Sequence, residues 1–563
     1  MISVVVLISM AIFGTAYIFY GRFLKLQVKP DDNIQTPAHK INDGIDYVPA
    51  KAPLLLGQHF SAISAAGPIV GPILAGIWFG WLPAILWIIL GAIFIGGVHD
   101  YLSIIGSVRH KAESIGEIVK TYMPGKTRIF FMLFAWLTLL YVIIAFTDIT
   151  AQTFKAVSQD TAYGPAVAAS SIIYLVLSVM MGILLYKFKM KLWLLTLVFL
   201  PLVLLAVWVG PRLPENVLAF FGQFSAKQWS VFLLVYCFVA SIIPMWILLQ
   251  PRGYLGGWLL YMTIFIGLVG ALLGGFKIVY PAVNISGMHS LANGKMLVPF
   301  LFITIACGAC SGFHALVSSG TTSKQLDKES DALPIGYGSL LLEGLVAILA
   351  LATVMMIPVG DPNLKSDPNL IYANGLSKYL GLLGIGFNIA FPFALLAFST
   401  FVYDTLDVST RLARYILQEL TGWKSFAGGC AATLISLCLP LTFILLSEEK
   451  AYLIAWPIFG TSNQMLASLT LLALSQWLAK SGKRVFYVVI PMIFMMTMTV
   501  IALVLQIKPF LTNLPVYFNG GKIQPDVLIS GICGVVLLGL CIMVIFTYAQ
   551  SLLVQKKTNL KAA

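Results

Sequence analysis

Gly57-Gln58-His59-Phe60-Ser61-Ala62-Ile63-Ser64-Ala65-Ala66-Gly67-Pro68-Ile69-Val70-Gly71-Pro72 is an apolar stretch that cannot form one regular helix. Pro68 and Pro72 lack backbone donors, and each ring clashes with the carbonyl four residues earlier. Two Gly-Pro pairs four residues apart therefore predict an unwound segment inside a hydrophobic span. Freed backbone groups at membrane depth survive only where protein or a water-lined cavity surrounds them. The half-helix after such a break offers its N-terminal amides to an anion. Ser64, Gly67, Pro68 and Gly71 are thus candidate substrate-binding positions, the alternative being a kinked packing helix.

The surroundings fit a membrane protein. Of the 563 residues, 59% are hydrophobic and only 10% charged, with a mean hydropathy of +0.93. Soluble domains carry about 25% charged residues. The apolar stretches run unbroken rather than alternating with period two, which argues against a β-barrel. Apolar runs and their Gly, Pro and charge boundaries predict an all-α polytopic chain of about fifteen spans. These lie near 2–20, 54–79, 82–106, 128–150, 165–186, 191–209, 231–249, 255–274, 297–319, 333–358, 379–402, 426–446, 451–478, 484–506 and 526–549. The longest polar interval, Gly21–Pro53, has 33 residues, too few for a separate soluble domain.

Charge sets the orientation. Loops after odd-numbered spans, together with the C-terminus, hold 25 of the 35 Lys and Arg residues. The positive-inside rule makes that side cytoplasmic, giving N-out and C-in. The net charge of +13 is then mainly a topology signal and needs no nucleic-acid partner. Ile2–Tyr20 lacks a basic leader and reads as a first span rather than a cleaved signal. All seven cysteines fall in apolar runs, so no disulfide framework is expected.

Several chemistries are missing. Gly125-Lys126-Thr127 resembles the tail of a P-loop, but Lys120 stands where its first glycine belongs. Neither an HExxH helix nor a GxSxG elbow occurs. No cofactor is expected, and energy for pumping has to come from an ion gradient or another subunit, which favours a secondary transporter over an enzyme.

Polar groups inside spans mark a pathway by default. Ser241 and Pro244 interrupt the seventh span, five after the second, so the two broken helices would run antiparallel as an inverted repeat requires. In the ninth span Ser318, Ser319 and Thr321 form a hydroxyl-rich stretch suited to a polar substrate. Cys307, Cys310 and His314 share one helix face there, a possible soft-metal set, although small residues in such helices mostly serve close packing. His59, His99, Asp100 and Glu343 are candidates for proton coupling. Asp148 reads as an interfacial residue, and Asp404 and Asp407 as an exposed helix end paired with Arg411 and Arg414.

Asp43-Gly44-Ile45-Asp46-Tyr47-Val48-Pro49, the His59 to Pro72 stretch and Gly97-Val98-His99-Asp100 resemble the carbon starvation protein A (CstA) family. So do Leu249-Gln250-Pro251-Arg252, Gly308 to Lys324, Leu342-Glu343-Gly344, Thr405-Leu406-Asp407 with Arg411-Leu412-Ala413-Arg414, and Trp456 to Gln464. In order, these motifs cover most of the chain. The resemblance implies a five-plus-five inverted-repeat (LeuT-like) core with residues 54–209 and 231–402 as the repeats. Residues 1–53 would form a first helix and cytoplasmic loop, and 426–563 additional helices. It also implies bacterial uptake of small peptides or pyruvate during nutrient limitation. The reading of the whole chain is a secondary transporter of small peptides or pyruvate-like carboxylates in the bacterial cytoplasmic membrane, with the proton as coupling ion and sodium as the alternative. Cys310 departs from the family pattern, which weighs against a metal. The rival readings are a membrane-embedded nutrient sensor, a metal-dependent intramembrane redox protein and a channel.

Overall fold

The computed structural model describes residues 1–123, 125–284, 296–447, 450–518 and 525–562. Among them, the only sheet is a hairpin of two-residue strands, Val157–Ser158 and Thr161–Ala162. The first half of the chain forms α1 (Ile2–Val28), α2 (Ala52–Ile63), α3 (Gly67–Phe79), α4 (Trp81–Arg109) and α5 (Gly125–Thr153). It continues with α6 (Gly164–Tyr186), α7 (Leu192–Val209), α8 (Ala226–Ile242) and α9 (Leu249–Leu273). The second half supplies α10 (Leu297–Thr304), α11 (Gly312–Val317), α12 (Glu329–Met355) and α13 (Phe387–Thr421). It ends with α14 (Phe426–Leu446), α15 (Ala451–Lys480), α16 (Phe486–Phe518) and α17 (Pro525–Ala562).

Among the described residues, eleven helices are long and apolar enough to cross a membrane, and two bent pairs raise the number to thirteen. This is a multi-pass membrane protein. Each of the fifteen predicted segments is helical over much of its length, but two stand outside that count. Segment 297–319 is split into α10 and α11, both short. Segment 451–478 forms one long helix whose middle carries Thr461-Ser462-Asn463-Gln464, which lowers its apolarity.

A break is present in the second span, but it is shorter than the Ser64–Pro72 stretch expected. α2 and α3 meet at 40° across Ser64–Ala66, where Pro68 cannot donate to the Ser64 carbonyl. Both Gly-Pro pairs lie within α3, Pro68 in its first turn and Pro72 in its interior. The interruption predicted at Ser241–Pro244 is not one. α8 ends at Ile242, the chain turns through Ile243–Leu248, and α9 starts afresh with Gln250 and Arg252 in its first turn. The second true break is Ile305–Ser311 between α10 and α11, seven predicted spans after the first rather than five.

The two breaks cross. A Cβ on Gly67 would strike Cys307, one on Gly71 would strike the Thr304 carbonyl, and one on Gly308 would sit 3.5 Å from Pro68. Rising numbers on α3 meet falling numbers on the partner, so the segments are antiparallel. Gly308 has φ +83°, a conformation that glycine alone adopts without strain. Backbone groups freed by the breaks find side chains. Thr405 Oγ1 donates to the Ala62 carbonyl (2.7 Å) and Trp87 Nε1 to that of Ile305 (3.0 Å). Gly308 N donates to Glu343 (3.0 Å) and Phe313 N to Asn463 Oδ1 (2.7 Å).

α13 runs 35 residues, well past the predicted end of the eleventh span. Asp404 and Asp407 consequently lie inside a buried helix, 2% and 1% exposed, not at an exposed end. Asp148 is also buried, accepting at 2.9 Å from Tyr452 N in the first turn of α15.

The crossing is sensitive to added volume. Gly71→Ala should destabilise the detergent-solubilised protein by about 1–3 kcal/mol, because the new methyl meets backbone that cannot give way. Gly14→Ala, on α1 with nothing within 4 Å, should change stability by about 1 kcal/mol or less. Thermal unfolding followed by tryptophan fluorescence compares them; equal stability of both variants would contradict the close crossing.

Candidate functional site

Two clusters of buried charge flank the breaks. The first gathers side chains from α4, α11 and α12. Asp100 accepts from His99 Nδ1 on one oxygen and from His314 Nδ1 on the other, both at 2.8 Å. His314 Nε2 lies 3.6 Å from Glu343 Oε2, whose other oxygen holds Gly308 N. All four side chains are fully buried. His99 Nε2, His314 Nε2 and Glu343 Oε2 have no hydrogen-bond partner. With Asp100 accepting at both Nδ1 atoms, the free Nε2 and Oε2 face each other across a gap that one proton can serve.

Three of the four predicted coupling residues, His99, Asp100 and Glu343, therefore belong to one connected network, with His314 as its bridge. His59 stands apart, its Nδ1 2.8 Å from Thr322 Oγ1. The soft-metal set takes a different membership. Cys307, His314 and Glu343 offer atoms within 4.8 Å of one another. These three, without Cys310, are the ones able to approach a soft cation.

The second cluster joins α2, α8, α9 and α13. Arg252 pairs with Asp404 (3.0 Å) and with Asp407, and its Nη1 donates to Tyr236. Ser61 at the end of α2 donates to Asp404. Sequence reading missed this cluster as a site because the predicted boundaries put Arg252 in a loop. The visible signal was an arginine directly after Pro251 between two apolar runs. Asn463, whose side chain caps α11, was quoted only as part of a motif.

A cavity of about 1240 Å³ opens between the clusters and one end of the bundle. It is lined by segment 43–47, the residues around Ser114, the π-helical turn Ser318–Thr322 and the far part of α13. All of these belong to the Lys/Arg-rich end. Burial pushes the Asp46 carboxyl up, but Lys324 and Arg411 outweigh it and hold it below the usual carboxylate range. Lys324 itself sits over the rings of Tyr47 and Tyr415, at 5.2 and 4.2 Å.

The predicted substrate positions divide. Pro244 and Ser319 line this cavity. Ser64 Oγ and Ser318 Oγ are buried without partners and do not line it. Gly67, Pro68 and Gly71 instead make the close crossing with 304–308. Ser241 contacts Thr433 Oγ1 at 3.3 Å, and Thr321 bonds back to the Val317 carbonyl. None of these last five lines the cavity, because packing and helix hydrogen bonds use them.

The motif blocks sort by cluster. Those around Gly97–Asp100, Gly308–Ser311, Leu342–Gly344 and Trp456–Gln464 build the first. Those around Asp43–Pro49, Leu249–Arg252, Thr405–Asp407 and Arg411–Arg414 build the second and its rim. A family model described as carbon starvation protein CstA matches residues 1–371 and 360–502. The peptide transporter CstA of Helicobacter pylori is 31% identical over 574 residues, covering 90% of this chain and 82% of its own length. The pyruvate/proton symporter BtsT of Escherichia coli is 29% identical over 610 residues, with the same two coverages. A solved manganese transporter of Eremococcus coleocola covers 91% of this chain and 99% of its own, with 12% identity and a TM-score of 0.48. Since the family match spans the motifs of both clusters, and the sequence likeness runs through nine tenths of the chain, this protein belongs to the carbon starvation protein CstA family.

Proposed function

We propose that this chain imports small peptides or pyruvate-like carboxylates across the bacterial cytoplasmic membrane by proton symport during carbon limitation. The names of its relatives, a peptide transporter and a pyruvate/proton symporter, support the substrate classes. The observation that carries the mechanism is the buried His99–Asp100–His314–Glu343 network beside a broken helix. Ionisable groups held this deep are costly unless they serve a pathway. The substrate enters between Ser64, Ser318 and Ser319, with Pro244 at the mouth. His59, bonded to the same π-helical turn, senses its arrival. No catalytic step is needed; the coupling ion is a proton, and sodium is the alternative that ion substitution tests.

The fifteen-span, N-out and C-in topology is part of this proposal, with the repeat boundaries revised to 52–273 and 297–480. Both units open on a broken helix, and both follow it with a helix containing a π turn, Ala92–Gly96 and Leu333–Gly338. A short helix comes next, Ile115–Tyr122 and Pro368–Gly381, then a long one, α5 and α13. α8 and α9 correspond to α14 and α15, and α6–α7 is a hairpin inserted in the first unit. This keeps five-plus-five while moving the second break to the ninth span.

Purified protein in proteoliposomes should accumulate labelled pyruvate or a di- and tripeptide pool against a gradient, and an uncoupler should collapse the accumulation. Binding without flux would favour the sensor, and non-saturable downhill flux the channel. Stoichiometric metal in the purified protein would favour the redox reading.

Glu343→Gln keeps an oxygen for Gly308 N but loses the titrating group. Its accumulation ratio should fall to unity while substrate exchange persists; equal loss of both would make Glu343 purely structural. Glu343→Ala also orphans the Gly308 amide, at a cost of about 1–3 kcal/mol in stability. For topology, Lys424→Cys, on the cavity rim, should react with an impermeant maleimide in inside-out vesicles and not in intact cells. The reverse pattern would invert the orientation.

A further inference from the structure

Arg252 has more negative partners than it can balance. Its guanidinium, fully buried, meets the carboxylates of both Asp404 and Asp407. Asp404 uses both oxygens, one on Arg252 and one accepting from Ser61. Asp407 uses only Oδ2, which meets Arg252 and accepts from Tyr236 OH at 2.7 Å. Asp407 Oδ1 is buried with no partner at all.

One further cation acts on the cluster without bonding to it. Arg411, one turn along α13, places its Nη donors on the carbonyls of Ala240 (2.8 Å) and Ile243 (2.6 Å) and on Asp46 (3.3 Å), while its Nε has no partner. Among the described residues, α9 brings Arg252 as its one charged group and packs Gly256 against Asp404 and Ser61, and α2 brings the Ser61 hydroxyl. α8 presents Tyr236 and Cys237, and α6 presents Tyr174, whose hydroxyl donates to the Arg252 carbonyl at 2.7 Å. Tyr403 on α13 itself stacks near Arg252. Among the described residues, Arg252 is the only cation paired with either carboxylate, and Arg411, which also acts on Asp407, is shared with Asp46. Two ionised carboxylates would then rest on one paired guanidinium with Asp407 Oδ1 buried and unpartnered, which is disfavoured.

We propose that Arg252, Asp404 and Asp407 form a second proton-binding site, with Asp407 Oδ1 as the acceptor, so that one transport cycle carries two protons. This rests on the transport reading above. Binding makes one O–H bond, and the same proton leaves on the other side of the membrane; no other bond changes. The site is placed to act on the hinge. Asp404 holds Ser61, and the adjacent Thr405 holds the Ala62 carbonyl, so the charge state of the cluster is felt at the last turn of α2, just before Ser64–Ala66.

Infrared spectroscopy reads the proton without transport. In the full-length protein at pH 7, the carbonyl stretch of a protonated carboxylic acid should shift when aspartate is labelled with carbon-13 at its carboxyl. It should disappear in Asp407→Asn and return in Asp407→Glu. A protonated-acid band that ignores aspartate labelling, or none, overturns the proposal, and the labelling arm needs no variant to fold. Reversal of pyruvate flux by opposing pH and substrate gradients gives the stoichiometry. Two protons per pyruvate in the wild type, falling to one in Asp407→Asn, support the site, whereas one in both overturns it. Loss of all flux with the aspartate band intact would sink the transport reading alone.

Discussion

The constraint on which the structure depends is backbone satisfaction where the chain leaves helical geometry inside the membrane. With no water available, every freed amide and carbonyl needs a protein partner. Ile305–Ser311 is therefore held from three sides: Trp87 takes the Ile305 carbonyl, Glu343 the Gly308 amide, and Asn463 the Ser311 hydroxyl and the Phe313 amide that follows it. Each of these side chains comes from a different helix. The break is satisfied only where α4, α12 and α15 meet around it. Gly67 and Gly71 then let α3 cross within backbone contact.

From this follows the sorting of the polar side chains. One cluster ties α11 to α4 and α12 through Asp100 and Glu343; the other ties α2 to α9 and α13 through Asp404 and Arg252. Each couples one half of a broken helix to unbroken neighbours through charge. In the proposed symport, a change of one proton at either cluster would alter the hold on a half-helix rather than the packing of the long helices, and coupling requires such selectivity.

Much of this was legible in the sequence, for identifiable reasons. The doubled Gly-Pro announced the first break because proline has no donor wherever it sits. Burial of His99, Asp100 and Glu343 followed from ionisable residues inside unbroken apolar runs. The second break was harder. Ser241-Ile242-Ile243-Pro244 looked like an interruption but ends a helix, whereas Ile305–Ser311 contains no proline, and its unwinding depends on Glu343 and Asn463, distant in sequence. Arg252, Asp404 and Asp407 were set aside for a related reason. Hydropathy ends a span at the first charge, yet α13 continues through its aspartates because Arg252 from α9 meets them there.

The two ends of the pathway are closed by different physics. Toward the Lys/Arg-rich end the cavity is wide and ringed by charged pairs such as Arg128 with Glu117 and Glu419. Beyond the crossing, the remaining space beside Trp78, Phe300, Ile303, Thr304, Trp456 and Pro457 is about 20 Å³, room for about one water molecule. Opening that end means separating apolar surfaces packed backbone to backbone, which costs hydration of non-polar area. Closing the other means bringing charges and hydroxyls together, and its energy depends on their protonation. In the proposed symport, a proton would therefore act most directly on the charged end and on the hinges beside it, and not on the apolar seal. In the proposed cycle, coupling requires that the seal opens only when the charged end has closed, a condition that the half-helices α2 and α11 would impose because each runs from a charge cluster to the break that leads into the crossing.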